Sequence, residues 1–367
     1  MNGLHGIIFS YEKEPGLREL VEHRMPASIP FGGRYRVIDF MLSNMQNAGI
    51  TDVGVILHGN YQSLLDHLGN GKAWDLSRKR GGLRFLPPFN VDKQAARPYR
   101  GDIEALASIR SYIDTIRQDY VVILDGDLVA NLPLADVLDD HIKSGADITT
   151  VVANDCYASE GANYFEVKDG VVTEVLGHPK NPRGFRGLEV YIVGTELLKK
   201  LVDDCTARDE YSWRKHVLQA KKDLKLHAFI FDGFAAQIRT VQEFYDRNMQ
   251  LLDPNVRASL YNPRRPMIAK SIDKPSAYIG PNGAIANSII GDGSRVEGSV
   301  ENSILFSGVT VEEGAVVKDS ILFLDAVVRK DGSITSVICD KKAEITEGRE
   351  LRGSKDLPLV VPKYKKV

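Results

Sequence analysis

The chain is poor in cysteine. Cys156, Cys205 and Cys339 are the only three in 367 residues, an odd number without metal-ligand spacing. That excludes a disulfide framework and a zinc ribbon, and it predicts plain buried thiols in a reducing cytoplasm. An excess of one charge is also missing. The 47 Lys and Arg against 49 Asp and Glu leave a formal net charge of -2. No overall basic field therefore draws the chain to nucleic acid or to a membrane surface. No apolar run approaches the ~18 residues that a membrane span needs. The opening MNGLHGIIFSYEKEPG has neither the basic start nor the small-residue cleavage site of a secretory signal. No glycine lies between Gly6 and Gly16, and no histidine follows His227.

What is present reads as two ordinary soluble domains with different patterns. Up to residue 252, short apolar runs alternate with helical patterns. Strand candidates are Gly6 to Phe9, Val53 to Leu57, Tyr120 to Leu124, Ile148 to Val152 and Val190 to Val193. A helix carries Ile38, Leu42 and Met45 on one face and stops at Gly49. This alternation predicts an α/β fold, a Rossmann-type, mostly parallel sheet with helices on both faces. Residues 253–275 hold Pro254, Pro263, Pro266 and Pro275 among Arg257, Arg264 and Arg265, which breaks up any regular pattern and predicts an ordered connector between domains. Over 276–355 a third pattern appears. Ile279, Ile285, Ile290 and Val296 recur about every six residues, as do Val309, Ala315, Ile321 and Val327. That period fits a left-handed β-helix of hexapeptide repeats, about four or five coils sharing one core. Residues 356–367 read as a frayed basic tail without a role.

Within the first pattern, SIPFGGRYRVIDFMLSN (28–44) places Arg34 and Arg36 after the Gly32–Gly33 pair. A glycine turn presenting cationic side chains points to an anion, although exposed arginines are as often paired to acids. GNGKAWDL (69–76) lacks the spacing of a phosphate loop, since Ala73 follows the lysine. Trp74 and Asp75 are expected to shape a cleft wall.

Together with YRGDIEA (99–105) and VVILDGD (121–127), these stretches resemble elements of bacterial glucose-1-phosphate adenylyltransferase: PFGGKYRIIDFPLSN, GxGxxWDL, YRGTADA and VVILxGDH. The resemblance covers about residues 4–355. It implies a nucleotidyltransferase-like domain followed by the β-helix, and a reaction of ATP with glucose 1-phosphate to give ADP-glucose and diphosphate. In that family a glycine-rich loop cradles phosphates, a lysine and an arginine neutralise charge, and two aspartates hold Mg²⁺.

Against that pattern the chain departs at each place. Phe9 to Glu14 replaces the glycine loop, and Glu12 and Glu14 would repel a triphosphate. Pro26 stands in place of the lysine. Asp127 keeps one metal-ligand position, whereas Gln237 replaces the second aspartate. His178 takes the place of the sugar-phosphate lysine, and Glu189 that of a glycine against which the sugar rests. Of the DFGKD element only Lys215 is kept, in Ser212 to His216. The resemblance with these losses implies a regulatory subunit of the D type, with no intact catalytic residues. It would pair as a hetero-oligomer, a heterotetramer, with the catalytic subunit and respond to a sugar-phosphate or nucleotide effector. Arg34, Arg36, Tyr99, Arg100 and Lys215 are the candidate effector or ligand contacts, with Arg100 alternatively paired to Asp102. No cofactor is required, and Mg²⁺ enters only with residual catalysis.

Two other readings use different features. An active enzyme would recruit Lys13, Arg18 or Arg24 in place of the lost groups. An acyltransferase would use the β-helix, but such enzymes need a histidine base there, and it has none.

Overall fold

The computed structural model describes residues 3–11, 16–88, 99–155, 161–271 and 273–367. It divides into two compact units. The first comprises Met1–Glu14, Ile38–Gln237 and Asn262–Ile268, and the second Pro15–Val37, Ile238–Tyr261 and Ala269–Val367. The units therefore interleave along the chain instead of meeting at one boundary.

The first unit is built on a nine-stranded sheet. Its order is Gly82–Leu86, Asp52–Ile56, Leu4–Phe9, Tyr120–Asp125, Phe185–Gly194, Ile148–Ala153, Leu226–Phe231, Val171–Gly177, Asn163–Lys168. The expected parallel arrangement holds for the first four strands and for the pair Ile148–Ala153 and Leu226–Phe231. Phe185–Gly194 runs antiparallel to both of its neighbours, so the far half of the sheet is mixed. Its last two strands form a hairpin across Asp169 and Gly170, a connection that only antiparallel strands can make. Ile7, Ile8, Val122, Ile123 and Ile192 are buried, as strands covered on both faces require. The helix Val37–Asn47 is where its apolar spacing places it.

Trp74 is a bracket more than a cleft wall. It is 1% exposed, its indole N–H donates to the Ile268 carbonyl at 3.2 Å, and its ring meets His67 edge-on. His67 in turn is 2.5 Å from the fully buried Asp39 carboxylate. Asp75 adopts φ +55° and pairs with Arg78.

His5, on the central strand, is buried beside the Tyr112 hydroxyl, 3.0 Å from Nε2. Burial lowers its pKa from 6.5 to about 4, against the weaker opposing pull of the Asp52 carboxylate. The native state thus holds His5 neutral while the unfolded state takes up its proton, so stability is full above pH 6.5 and falls as pH drops towards 4. The expected loss from this one group between pH 7 and pH 5 is about 2 kcal/mol. Urea titrations at the two pH values check it, and His5→Phe should flatten the slope.

In the second unit three five-stranded parallel sheets form five coils of a left-handed β-helix. Val296, Val311, Val328 and Ile345 stack in register and share one dry core with Val300, Val317 and Ile334. Val309, Ala315 and Ile321 are buried as the six-residue period predicts. Two details differ. Val328, not Val327, takes the core place, and Ile279 and Ile285 remain 43% and 38% exposed because no coil precedes theirs. At one corner Ser288, Ser303 and Ser320 each accept a backbone N–H from the next coil, at 3.0 to 3.1 Å. That ladder satisfies donors that the coil geometry would otherwise bury unpaired.

Where the prolines predict irregular chain, Pro254–Leu260 is a helix, because Pro254 stands in its first turn with Asp253 as cap. The tail is not frayed: Leu359–Val361 pairs with Val337–Cys339, and Lys366 meets Glu344. Thr240 and Glu243 form a reciprocal capping box on helix Val241–Gln250. Arg24, 6% exposed, donates to both oxygens of the buried Asp340 at 2.7 and 2.9 Å. Its guanidinium lies 5.8 Å over the Phe323 ring. Cys205 and Cys339 are free and buried, and burial pushes their thiols up to about 11 and 12. Cys156 lies outside the described residues.

Candidate functional site

In the first unit the candidate residues gather beyond the C-terminal ends of the parallel strands, where open α/β sheets place their ligands. Asp125 ends the Tyr120–Asp125 strand in register with Phe9, and Asp127 follows one residue after Gly126, whose N–H donates to the Phe9 carbonyl at 2.7 Å. The short pair Leu128–Ala130 and Ala235–Gln237 sets Gln237 opposite Leu128, next to Asp127 in sequence. The two positions that the resemblance marks for metal ligands are thus carried by the same strand pair and its flank. Of the segment expected to replace the glycine loop, Phe9 to Glu14, residues 12–14 lie outside the described residues.

Gln237 is 1% exposed, and its oxygen accepts from Arg186 Nη1 at 2.8 Å. The same guanidinium, with no side-chain exposure, grips Asp155 through Nε at 3.1 Å and Nη2 at 2.5 Å. Nη2 also donates to the Ala235 carbonyl. These residues do not suit Mg²⁺, a hard cation that wants carboxylate and water oxygens. Gln237 brings an amide where the resemblance implies a carboxylate, its oxygen is taken by a cation, and no group of three acidic, His or Cys residues among the described residues could hold a metal.

Glu189, which the resemblance sets in place of a glycine, has a backbone conformation that suits glycine. Its φ is +54°, a conformation that costs a side-chain-bearing residue of order 1 kcal/mol or more. It sits in the irregularity between Gly187 and Tyr191. Its carboxylate is buried and held on both oxygens, by Asn163 Nδ2 at 2.7 Å and the Tyr191 hydroxyl at 2.8 Å. Burial and then the Glu189 charge raise the Tyr191 pKa well above its ordinary value, which keeps that hydroxyl a donor.

The remaining candidates are more dispersed. His178 is exposed at φ +49°. Lys215 is exposed on the π-helical turn Trp213–Gln219. Tyr99 accepts from Ser108 and packs on Tyr11 and His58, and burial raises its pKa. Arg100 does not pair with Asp102. Glu104 and Asp209 hold its guanidinium at 3.1 and 2.8 Å, and it covers the Tyr211 ring.

Pro26, Arg34 and Arg36 belong to the second unit. Pro26 is buried in a single 3-10 turn. Arg36 donates to Ser28 at 2.6 Å, and Arg24 is matched by Asp340. Gly32 and Gly33 adopt φ +66° and +81°, and a Cβ at either would strike Tyr261 or Ile289 at under 3.0 Å. Only glycine therefore fits this turn. With the exposed Arg34 they line a pocket of about 670 Å³ together with Tyr35, Arg257 and Tyr261. Tyr35 and Tyr261 stack at 5.5 Å.

Reading the sequence alone does not reveal Arg186, Asp155, Asn163 or Tyr191 as site residues. The available signal was an arginine inside a strand buried on both faces, which obliges a counter-charge.

A nucleotidyl transferase family profile matches residues 16–251, and a GlmU-like, C-terminal hexapeptide profile matches residues 270–355. The chain is 31% identical over 362 residues to the glycogen biosynthesis protein GlgD of Bacillus subtilis, covering 99% of this chain and 96% of that one. It is 31% identical over 338 residues to glucose-1-phosphate adenylyltransferase of Acetivibrio thermocellus, covering 90% and 79%. With the enzyme of that name from Geobacillus stearothermophilus the identity is 34% over 313 residues, covering 82% and 80%. The chain therefore belongs to the nucleotidyl transferase family, together with the glucose-1-phosphate adenylyltransferases and GlgD.

Proposed function

We propose that the chain is a regulatory subunit of glycogen biosynthesis. On this reading it has little or no adenylyl-transfer activity of its own and pairs with a catalytic glucose-1-phosphate adenylyltransferase chain. The observation that carries the reading is Glu189: a buried carboxylate, engaged on both oxygens by Asn163 and Tyr191, at the position that the resemblance gives to a glycine beside the sugar. A substrate phosphate approaching it meets like charge in a buried setting. The absence of a second metal carboxylate and of the charge-neutralising lysine acts in the same direction. Losses of this kind cost roughly 10²–10³ in rate apiece. A regulatory chain acts by binding one conformation of its partner better than another.

The test is diphosphate release from ATP and glucose 1-phosphate with Mg²⁺. The expected result is turnover by the purified chain at least ~10³-fold below a catalytic chain of the family, and a raised or retuned rate on mixing the two. Robust turnover by the chain alone overturns the reading, as does mixing without co-elution or change in rate.

The Arg34 pocket supports the effector part of the proposal. Its volume suits a small ligand, and its arginines and stacked tyrosines suit a phosphate joined to a sugar or base. Arg34→Ala is expected to weaken a sugar-phosphate effector about 10-fold, the value of a charge-assisted hydrogen bond. Calorimetric titration of fructose bisphosphate and of ATP reads it, and unchanged affinity removes Arg34 from the site.

A further inference from the structure

We infer that Arg186 is the resident cation of the cleft: its guanidinium takes the role that a divalent ion has in the family, and the cleft does not accept that ion. Four of the five guanidinium donors have acceptors, in Asp155, Gln237 and the Ala235 carbonyl. Arginine has no acceptor and keeps its charge at any physiological pH, so this positive charge is permanent and fully buried.

It also fixes the polarity of Gln237. The amide oxygen must face the guanidinium, which leaves Nε2, a buried donor without a hydrogen-bond partner among the described residues. A donor cannot ligate a metal. The position opposite Leu128, the neighbour of Asp127, therefore offers an N–H and no metal-ligating oxygen. A divalent ion entering there finds a donor where it needs a ligand, and the carboxylate of this network, Asp155, is already held by Arg186. The inference needs only these contacts and stands independently of the regulatory reading.

Mn²⁺ added to the full chain and followed by its electron paramagnetic resonance signal tests it. The wild type is expected to leave the free-ion signal undiminished at millimolar Mn²⁺. Arg186→Ala combined with Gln237→Asp should gain one site, at least tenfold tighter than anything in the wild type, and Asp127→Asn in that background should abolish it. A wild type that takes up one equivalent of Mn²⁺, lost on Asp127→Asn, overturns the inference. So does a folded double variant that binds none. If the double variant does not fold, Gln237→Glu alone preserves an acceptor for Arg186. It should still bind no Mn²⁺, and one bound equivalent overturns the inference. Turnover by the wild type without bound Mn²⁺ would defeat the regulatory proposal and leave this one intact.

Discussion

Replacing Asp340 by alanine is expected to lower stability by about 3–5 kcal/mol, because it strands the buried Arg24 charge without its counter-ion. Arg24 Nη1 already lacks a partner among the described residues, and Nη2 depends on the two Asp340 oxygens. Water cannot easily substitute at a side chain 6% exposed and roofed by Phe323. Phe323 is itself wedged edge-on between Phe244 and Phe306. Removing the pair together should behave differently. Arg24→Met with Asp340→Leu deletes both charges at similar volume, and such exchanges are commonly neutral or stabilising. Chemical denaturation of the two single variants and the double closes a mutant cycle. Single variants that each cost less than about 1 kcal/mol, the size of an ordinary surface change, would show the pair to be hydrated and unimportant.

Trp74→Ala should cost a similar amount, about 3–5 kcal/mol, in the first unit. The indole fills a fully enclosed space, and its removal also leaves the Ile268 carbonyl without its donor. Trp74→Phe separates the two contributions. It keeps most of the ring and drops the hydrogen bond, for an expected loss nearer 1 kcal/mol. If the alanine variant is nearly as stable as the phenylalanine one, packing is not what Trp74 supplies. Limited proteolysis gives a second reading, since residues 262–268 should become cleavable in Trp74→Ala.

Much of the fold was legible because periodicity is local. The apolar runs from Gly6 and Tyr120 mark central strands, and the six-residue repeat marks coils. Register at the level of one residue was not, since Val327 and Val328 are equally aliphatic and only the stacking on Val311 chooses between them. Direction was not either: nothing in FRGLEVYIVG says that this strand runs against its neighbours.

For the candidate site, the resemblance marks Pro26, Gln237, His178 and Glu189 as departures from the family pattern, but the contacts made there were not legible. Arg186 meets Asp155 and Gln237, 31 and 51 residues away, and Arg24 meets Asp340 across 316 residues. Arg100 illustrates the same gap on a shorter scale. Asp102 is near in sequence, but Asp102 begins the helix Asp102–Ser108, and Glu104, four residues after Arg100, faces the guanidinium.

Glu189 carries a left-handed backbone conformation that suits glycine. On the regulatory reading the obstruction is therefore one side chain on a main chain that needs no rebuilding, a removable plug and not a collapse of the strand.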